Sequence, residues 1–232
     1  MNAGRAALMW EGVHVDGRSM VIAARFNGPP GTGNGGYSAG TFASLVDAGI
    51  PEVTLVKPPP LDVPLAADED RVVDPAGAVV ATVRAVPPFE VSAPPITLAA
   101  ATGAARSFAG FTDHPFPTCY VCGPERADGL RVFPGPVDGV VAAPFTAPAE
   151  VRPETVWAAL DCPGGWSVLS AGRAYVLGRM AAVIADLPAP GSENVLVGAL
   201  AGTEGRKAAV HTALYSPGGD LLAHARATWI AI

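Results

Sequence analysis

Lysine is almost absent. Lys57 and Lys207 are the only two in 232 residues, charged residues of all kinds make up 16%, and the formal net charge is −6. A nucleic-acid surface needs concentrated Lys and Arg, so that class of partner is not expected. An anionic ligand remains open, because a few local cations can serve one phosphate. Long apolar runs are also missing: none approaches the roughly 20 residues of a membrane helix, so no membrane partner is expected. Residues Met1 to Glu11 hold one cation, Arg5, and no sustained apolar stretch, so no secretory leader is expected. Cysteine is scarce and odd in number, with Cys119 and Cys122 only three apart and Cys162 beyond them. A disulfide framework is therefore not expected, and a reducing cytoplasm is the natural compartment.

Half the residues are apolar, enough to build a packed core in one large domain or two of roughly 100–120 residues. The 27 glycines and 24 prolines, with so little lysine, are what a GC-rich bacterial genome encodes.

Two stretches carry the same order of elements. In the first, Asn34-Gly35-Gly36-Tyr37 opens a helix whose Phe42, Leu45 and Val46 follow i, i+3, i+4 spacing. Gly49 and Pro51 close it. Strand-like runs follow at Glu52–Lys57, Leu61–Leu65 and Arg71–Val73, and the turn Asp74-Pro-Ala-Gly77 leads to Ala78–Val86 as a hairpin. In the second, Leu130–Phe133 and Val140–Phe145 read as strands around the turn Gly135–Gly139. Pro153–Leu160 reads as a helix with proline in its first turn. Strands follow at Ala174–Ile184, Glu193–Leu200 and Ala208–Tyr215, and Ser216-Pro-Gly-Gly-Asp220 turns the chain into the last. Between the two lie Pro87-Pro88, Pro94-Pro95 and a short helical run, Ile96–Arg106. Antiparallel hairpins dominate, with one helix to cover the sheet in each half.

With these residues, the chain resembles the hotdog fold, in the tandem double-hotdog form of the acyl-CoA thioesterases. Cys119-Tyr-Val-Cys-Gly-Pro-Glu-Arg-Ala-Asp-Gly-Leu-Arg-Val is similar to the segment that opens many phenylacetate-type hotdog thioesterases. Asn34-Gly-Gly-Tyr resembles the His-Gly-Gly entry to the hotdog helix. Val156-Trp-Ala-Ala-Leu-Asp161 resembles the second turn of that helix, where the family places an acid nine positions after the His. The resemblance implies an α+β fold, a double hotdog with two curved antiparallel sheets each wrapping a central helix. The divisions expected are 1–95 for an N-terminal hotdog, 96–112 for a connector and 113–232 for a C-terminal hotdog.

The activity it implies is hydrolysis of an acyl-CoA or acyl-carrier thioester, without cofactor or metal. The alternatives are a non-catalytic acyl-thioester-binding protein and an enoyl-CoA hydratase or dehydratase. The last is disfavoured because no Asp-x-Asn-Pro-x-His occurs. Asp161 then acts on the thioester as base or nucleophile, and Asn34 stands in for the His. Gly35, Gly36 and Tyr37 supply helix N-terminal amides as an oxyanion hole and substrate contact. Each candidate also has a purely structural reading: Asn34 as a helix N-cap, and Asp161 as a capping acid before Cys162-Pro163-Gly-Gly, which would end or kink the helix. Nine positions before Asp161 is Arg152, and nine after Asn34 is Ala43, so each half keeps only part of the pattern. One composite site, Asn34-Gly35-Gly36 from one half and Asp161 from the other, is the expectation. A homodimer through exposed sheet edges is a further one.

Other residues carry weaker signals. Arg173, Arg179, Arg206 and Lys207 are candidates for coenzyme A phosphates or, more simply, solvated strand ends. Zinc takes four ligands. Cys119 and Cys122 offer two, His114 or Cys162 another, and no second pair completes a local finger. The expectation is a tight turn with small buried thiols.

Overall fold

A computed structural model describes residues 19–169 and 173–232; the first eighteen positions of the expected N-terminal unit, with the segment read as lacking a leader, lie outside the described residues. In chain order the elements are β1 (Ser19–Val21), α1 (Gly35–Ala43), β2 (Ile50–Leu55), β3 (Pro64–Asp68), β4 (Arg71–Val73), β5 (Val79–Val86), α2 (Leu98–Ala105), β6 (Gly135–Val137), β7 (Val140–Thr146), α3 (Pro153–Trp166), β8 (Tyr175–Ile184), β9 (Glu193–Glu204), β10 (Lys207–Tyr215) and β11 (Leu221–Ala231). Among the described residues, no helix is long and apolar enough to cross a membrane.

The strands form one antiparallel sheet in the order β1-β3-β4-β5-β2-β8-β11-β10-β9-β7-β6. Read outward from the centre, β2-β5-β4-β3-β1 and β8-β11-β10-β9-β7 are the same path, with a helix after the outer strand in each. The internal repeat seen in the sequence is thus a repeat of topology. The two halves meet edge to edge through β2 and β8, where Glu52, Val53 and Thr54 pair with Ala181, Met180 and Arg179. Glu52 is buried at this seam. Its carboxylate accepts from Arg84 Nε at 2.9 Å and Arg226 Nη2 at 3.4 Å, with Arg179 Nε at 3.9 Å.

Turn chemistry sets the hairpins. Asp74 Oδ1 accepts from the amides of Ala76 and Ala78, both at 2.9 Å, and Gly77 takes φ of 77°. Ser216 Oγ accepts from Gly218 and Asp220 amides at 3.2 and 3.1 Å before β11.

Helices α1 and α3 pack against each other inside the curve of the sheet. Gly36 and Gly40, one turn apart on α1, face Trp157 and Asp161, one turn apart on α3. A Cβ at Gly40 would sit 2.7 Å from Trp157 Cβ, and one at Gly36 would overlap the Asp161 side chain and come within 2.6 Å of the Trp157 carbonyl. The absence of side chains there lets the helices approach. On the outer face, α2 is capped by Thr97, whose Oγ1 accepts from Ala100 N at 3.2 Å. Its Ala101 packs with Ala142, Val195, Val197 and Ala213. The intervening Ala143, Leu196 and Leu214 belong to the main core, as strand alternation requires.

Several local readings differ from the structure. The run Leu61–Leu65 is broken by a φ of 56° at Asp62, so β3 starts only at Pro64, and α1 ends at Ala43, short of Leu45 and Val46. Leu130–Phe133 is not a strand: Arg131 has φ of 55°, although Leu130 and Val132 amides still bond the carbonyls of Tyr120 and Val121. Gly135–Val137, read as turn, is β6, and the turn itself is only Asp138-Gly139. The α3 helix runs on through Pro163 to Trp166 instead of stopping near Asp161. Pro163 is pressed against β9 at Gly198, where any Cβ would collide with its carbonyl.

Candidate active site

Asn34 caps α1. Its Oδ1 accepts from Tyr37 N at 2.9 Å, satisfying one orphan donor of the first turn. Its Nδ2 is then directed to Asp161 Oδ2 at 3.5 Å and Cys119 Sγ at 3.8 Å. The Gly36 amide donates to Asp161 Oδ2 at 2.8 Å. Asn34 and Asp161, 127 positions apart, are only 3% and 2% exposed. One capping residue therefore closes the helix and holds the carboxylate of the opposite helix.

Asp161 Oδ1 has no hydrogen-bond partner among the described residues. Burial raises the pKa of this carboxyl to about 7, against the opposing pull of the Gly36 amide and the Asn34 amide group. Such a group can hold or accept a proton near neutrality.

Asp161 lies on the wall of a cavity of about 470 Å³ between the two halves, lined also by Asn34, Gly35, Leu55, Phe116, Trp166, Leu177 and Trp229. That volume suits a small-molecule ligand. Lys57 and Arg206 line it too. Arg179, by contrast, donates to Thr54 Oγ1 at 2.9 Å on the seam. Trp229 Nε1 is a buried donor with no partner among the described residues.

The expected oxyanion donors divide. Gly36 N is engaged by Asp161 and Tyr37 N by Asn34. The Tyr37 ring stacks on Phe26 with centroids 3.7 Å apart and does not line the cavity. Gly35 does line it, with Leu177 packed so closely that a Cβ at Gly35 would lie 2.8 Å from Leu177 Cβ. At the other ends of the same helices a second cavity is lined by Gly40, Ala43, Pro153, Glu154, Trp157 and Asp186. Ala43 occupies the register that Asp161 has on α3.

The cysteines converge as well. Cys119 and Cys122 come from one tight turn and Cys162 from α3, next to Asp161. All three are buried, their sulfurs lie within 4.8 Å of one another, and Cys119 and Cys162 Sγ are 4.0 Å apart. Hydrogen bonds from Cys122 and Cys162 pull the Cys119 thiol well below its usual range. Burial pushes Cys122 up, and its bond to Cys119 pushes Cys162 up. His114 is not part of the cluster. Its Nδ1 accepts from Phe116 N at 2.9 Å and its Nε2 is 3.1 Å from the Cys122 carbonyl, which fixes a neutral ring with Nε2–H donating. The CxxC spacing signals two thiols; the third, 43 positions from Cys119, carries no local signal. Lys57 was likewise invisible as a cavity group, whereas Trp229, which reads from the sequence as core or pocket wall, does line the cavity.

Comparison of structures defines the fold. The chain has a TM-score of 0.59 to a conserved protein of unknown function with hot dog fold from Alicyclobacillus acidocaldarius, at 13% identity over 94% of this chain and 95% of that one. A thioesterase superfamily protein matches 50% of this chain at 20% identity and TM-score 0.45, and the match spans 61% of that protein's length. A hypothetical thioesterase from Streptococcus pneumoniae, solved with coenzyme A, matches 40% of this chain and 82% of that one at 13% identity and TM-score 0.38. No protein-family model and no curated protein sequence matches the chain. The fold is the hotdog, α+β, in tandem form with two central helices in one molecule.

Proposed function

We propose that the protein is a thioester hydrolase acting on acyl-CoA or acyl-carrier thioesters, with one composite site per chain. The carrying observation is Asp161: a buried residue of the cavity wall, anchored through Oδ2 to the Gly36 amide at 2.8 Å, with Oδ1 unpaired among the described residues. An anchored carboxylate with one free oxygen is suited to take a proton from an attacking water. The water oxygen bonds to the thioester carbon, its proton passes to Asp161 Oδ1, and collapse of the tetrahedral intermediate expels the thiolate, which is reprotonated from Asp161.

The Gly35 amide is the first-turn donor left on the cavity wall, and it is assigned to the carbonyl oxygen. This narrows the oxyanion hole from the three residues Gly35, Gly36 and Tyr37 to one. Asn34 positions Asp161. Apolar residues such as Leu55, Phe116 and Leu177 enclose the acyl group, and Lys57 and Arg206 meet anionic phosphate on the carrier arm.

The test is release of free thiol from a panel of acyl-CoA substrates, followed with a thiol-reactive chromophore. Turnover that disappears in Asp161→Asn supports the assignment. Binding without thiol release points instead to a non-catalytic acyl-thioester-binding protein, and hydration of a 2-enoyl-CoA to the hydratase or dehydratase class.

A further inference from the structure

We propose that Cys119, Cys122 and Cys162 form a tri-thiolate zinc site on the cavity wall, distinct from the hydrolytic carboxylate. This departs from the sequence expectation of inert buried thiols, and the reason is Cys162. Three sulfurs within 4.8 Å of one another, with one pair at 4.0 Å, are already close to ligand spacing. Tetrahedral zinc with Zn–S bonds of about 2.3 Å needs sulfurs about 3.8 Å apart, so the cluster has at most about 1 Å to close. All three cysteines line the cavity.

The surroundings resemble a ligand shell rather than incidental packing. The turn carrying two of the sulfurs is rigid: Gly123 N bonds the Cys119 carbonyl at 2.9 Å, and Cys119 N bonds the Phe116 carbonyl at 2.9 Å. His114 Nε2–H ties down the Cys122 carbonyl at 3.1 Å. The Asn34 amide group reaches Cys119 Sγ at 3.8 Å, an N–H to sulfur contact of the sort that orients a thiolate ligand. Soft donors of this number select a thiophilic d¹⁰ cation. Zinc is preferred over copper(I) because a divalent ion offsets more of the negative charge that three thiolates would bury. His114 has no nitrogen free to complete the set, so the fourth position opens to the cavity, as in zinc sites with three protein ligands and one exchangeable one. Water or a soft ligand atom, such as a thiolate, fits there.

The experiment reads metal rather than turnover, so its outcome is separable from that of the hydrolase reading. The reduced full-length protein is loaded with zinc, desalted and analysed for metal content, and a parallel sample is loaded with cobalt(II). Expected are one zinc per chain and a cobalt spectrum with thiolate-to-metal charge-transfer bands in the near ultraviolet. Cys162→Ser should lower zinc affinity by more than the roughly 10–100-fold that loss of an outer partner costs. The cobalt spectrum of the unmodified protein keeps the test valid if that variant does not fold. Substoichiometric zinc, cobalt bound without thiolate bands, or undiminished affinity in a folded Cys162→Ser overturns the proposal.

Discussion

The Gly36 amide lies 2.8 Å from Asp161 Oδ2, joining the first turn of one central helix to the third turn of the other across 125 positions of chain. The same residue pair sets how near the helices come, because a Cβ on Gly36 has no room beside Asp161 and Trp157. Gly36→Ala should therefore destabilise by about 1–3 kcal/mol through overpacking and depress turnover as Asp161 is displaced. Gly103→Ala, on an exposed stretch of α2 with nothing near its Cβ, should instead stabilise by about 0.5–1 kcal/mol. Urea unfolding of both variants beside the parent checks the pair.

Asn34 does two jobs that substitution can separate. Asn34→Ala removes both the cap on Tyr37 N and the amide donor to Asp161, and should cost about 1 kcal/mol of stability as well as activity. Serine is as good an N-cap as asparagine but has no amide to reach Asp161. Asn34→Ser should recover stability while leaving kcat depressed. Recovery of both would reduce Asn34 to a structural cap.

Lys57 and Arg206 stand on the cavity wall as its nearby cations. Lys57→Glu should raise KM for acyl-CoA several-fold with little change in kcat. It should leave KM for an acyl-pantetheine, which lacks the nucleotide phosphates, nearly unaltered. Equal effects on both substrates would remove Lys57 from the carrier-arm contact.

The seam between halves rests on Glu52 and the guanidinium groups of Arg84, Arg226 and Arg179. Glu52→Gln keeps the shape and removes the charge, leaving three cations together at the β2–β8 junction. A loss of about 2 kcal/mol is expected, from the range for hydrogen bonds to charged groups, with the urea midpoint as the readout.

Local chemistry was legible in the sequence where it acts locally. The Asp74–Gly77 and Ser216–Asp220 turns are made by their own side chains, and Asn34 before two glycines is a cap wherever it occurs. The repeat of strand order was readable for the same reason, since each hairpin announces its turn. Leu130–Phe133 misled because its apolar alternation says nothing of the positive φ at Arg131, which tertiary bonds to Tyr120 and Val121 accompany. Pro163 looked like a helix stop, yet packing on Gly198 accompanies the turn that continues past it. The register of Asp161 and Asn34 came from the hotdog resemblance, not from spacing alone, and their meeting is tertiary. The third thiol stood only as an alternative to His114, because nothing near Cys162 marks it as a neighbour of Cys119.

The role of Asp161 as general base stands or falls on thiol release from acyl-CoA substrates by the parent protein and by Asp161→Asn. Asparagine keeps an oxygen for the Gly36 amide, so the variant should fold like the parent, as judged by its urea midpoint. Turnover is expected in the parent, with a fall of about 10²–10⁴-fold in the variant, the usual worth of a general base. A folded Asp161→Asn that hydrolyses acyl-CoA at the parent rate would contradict that role.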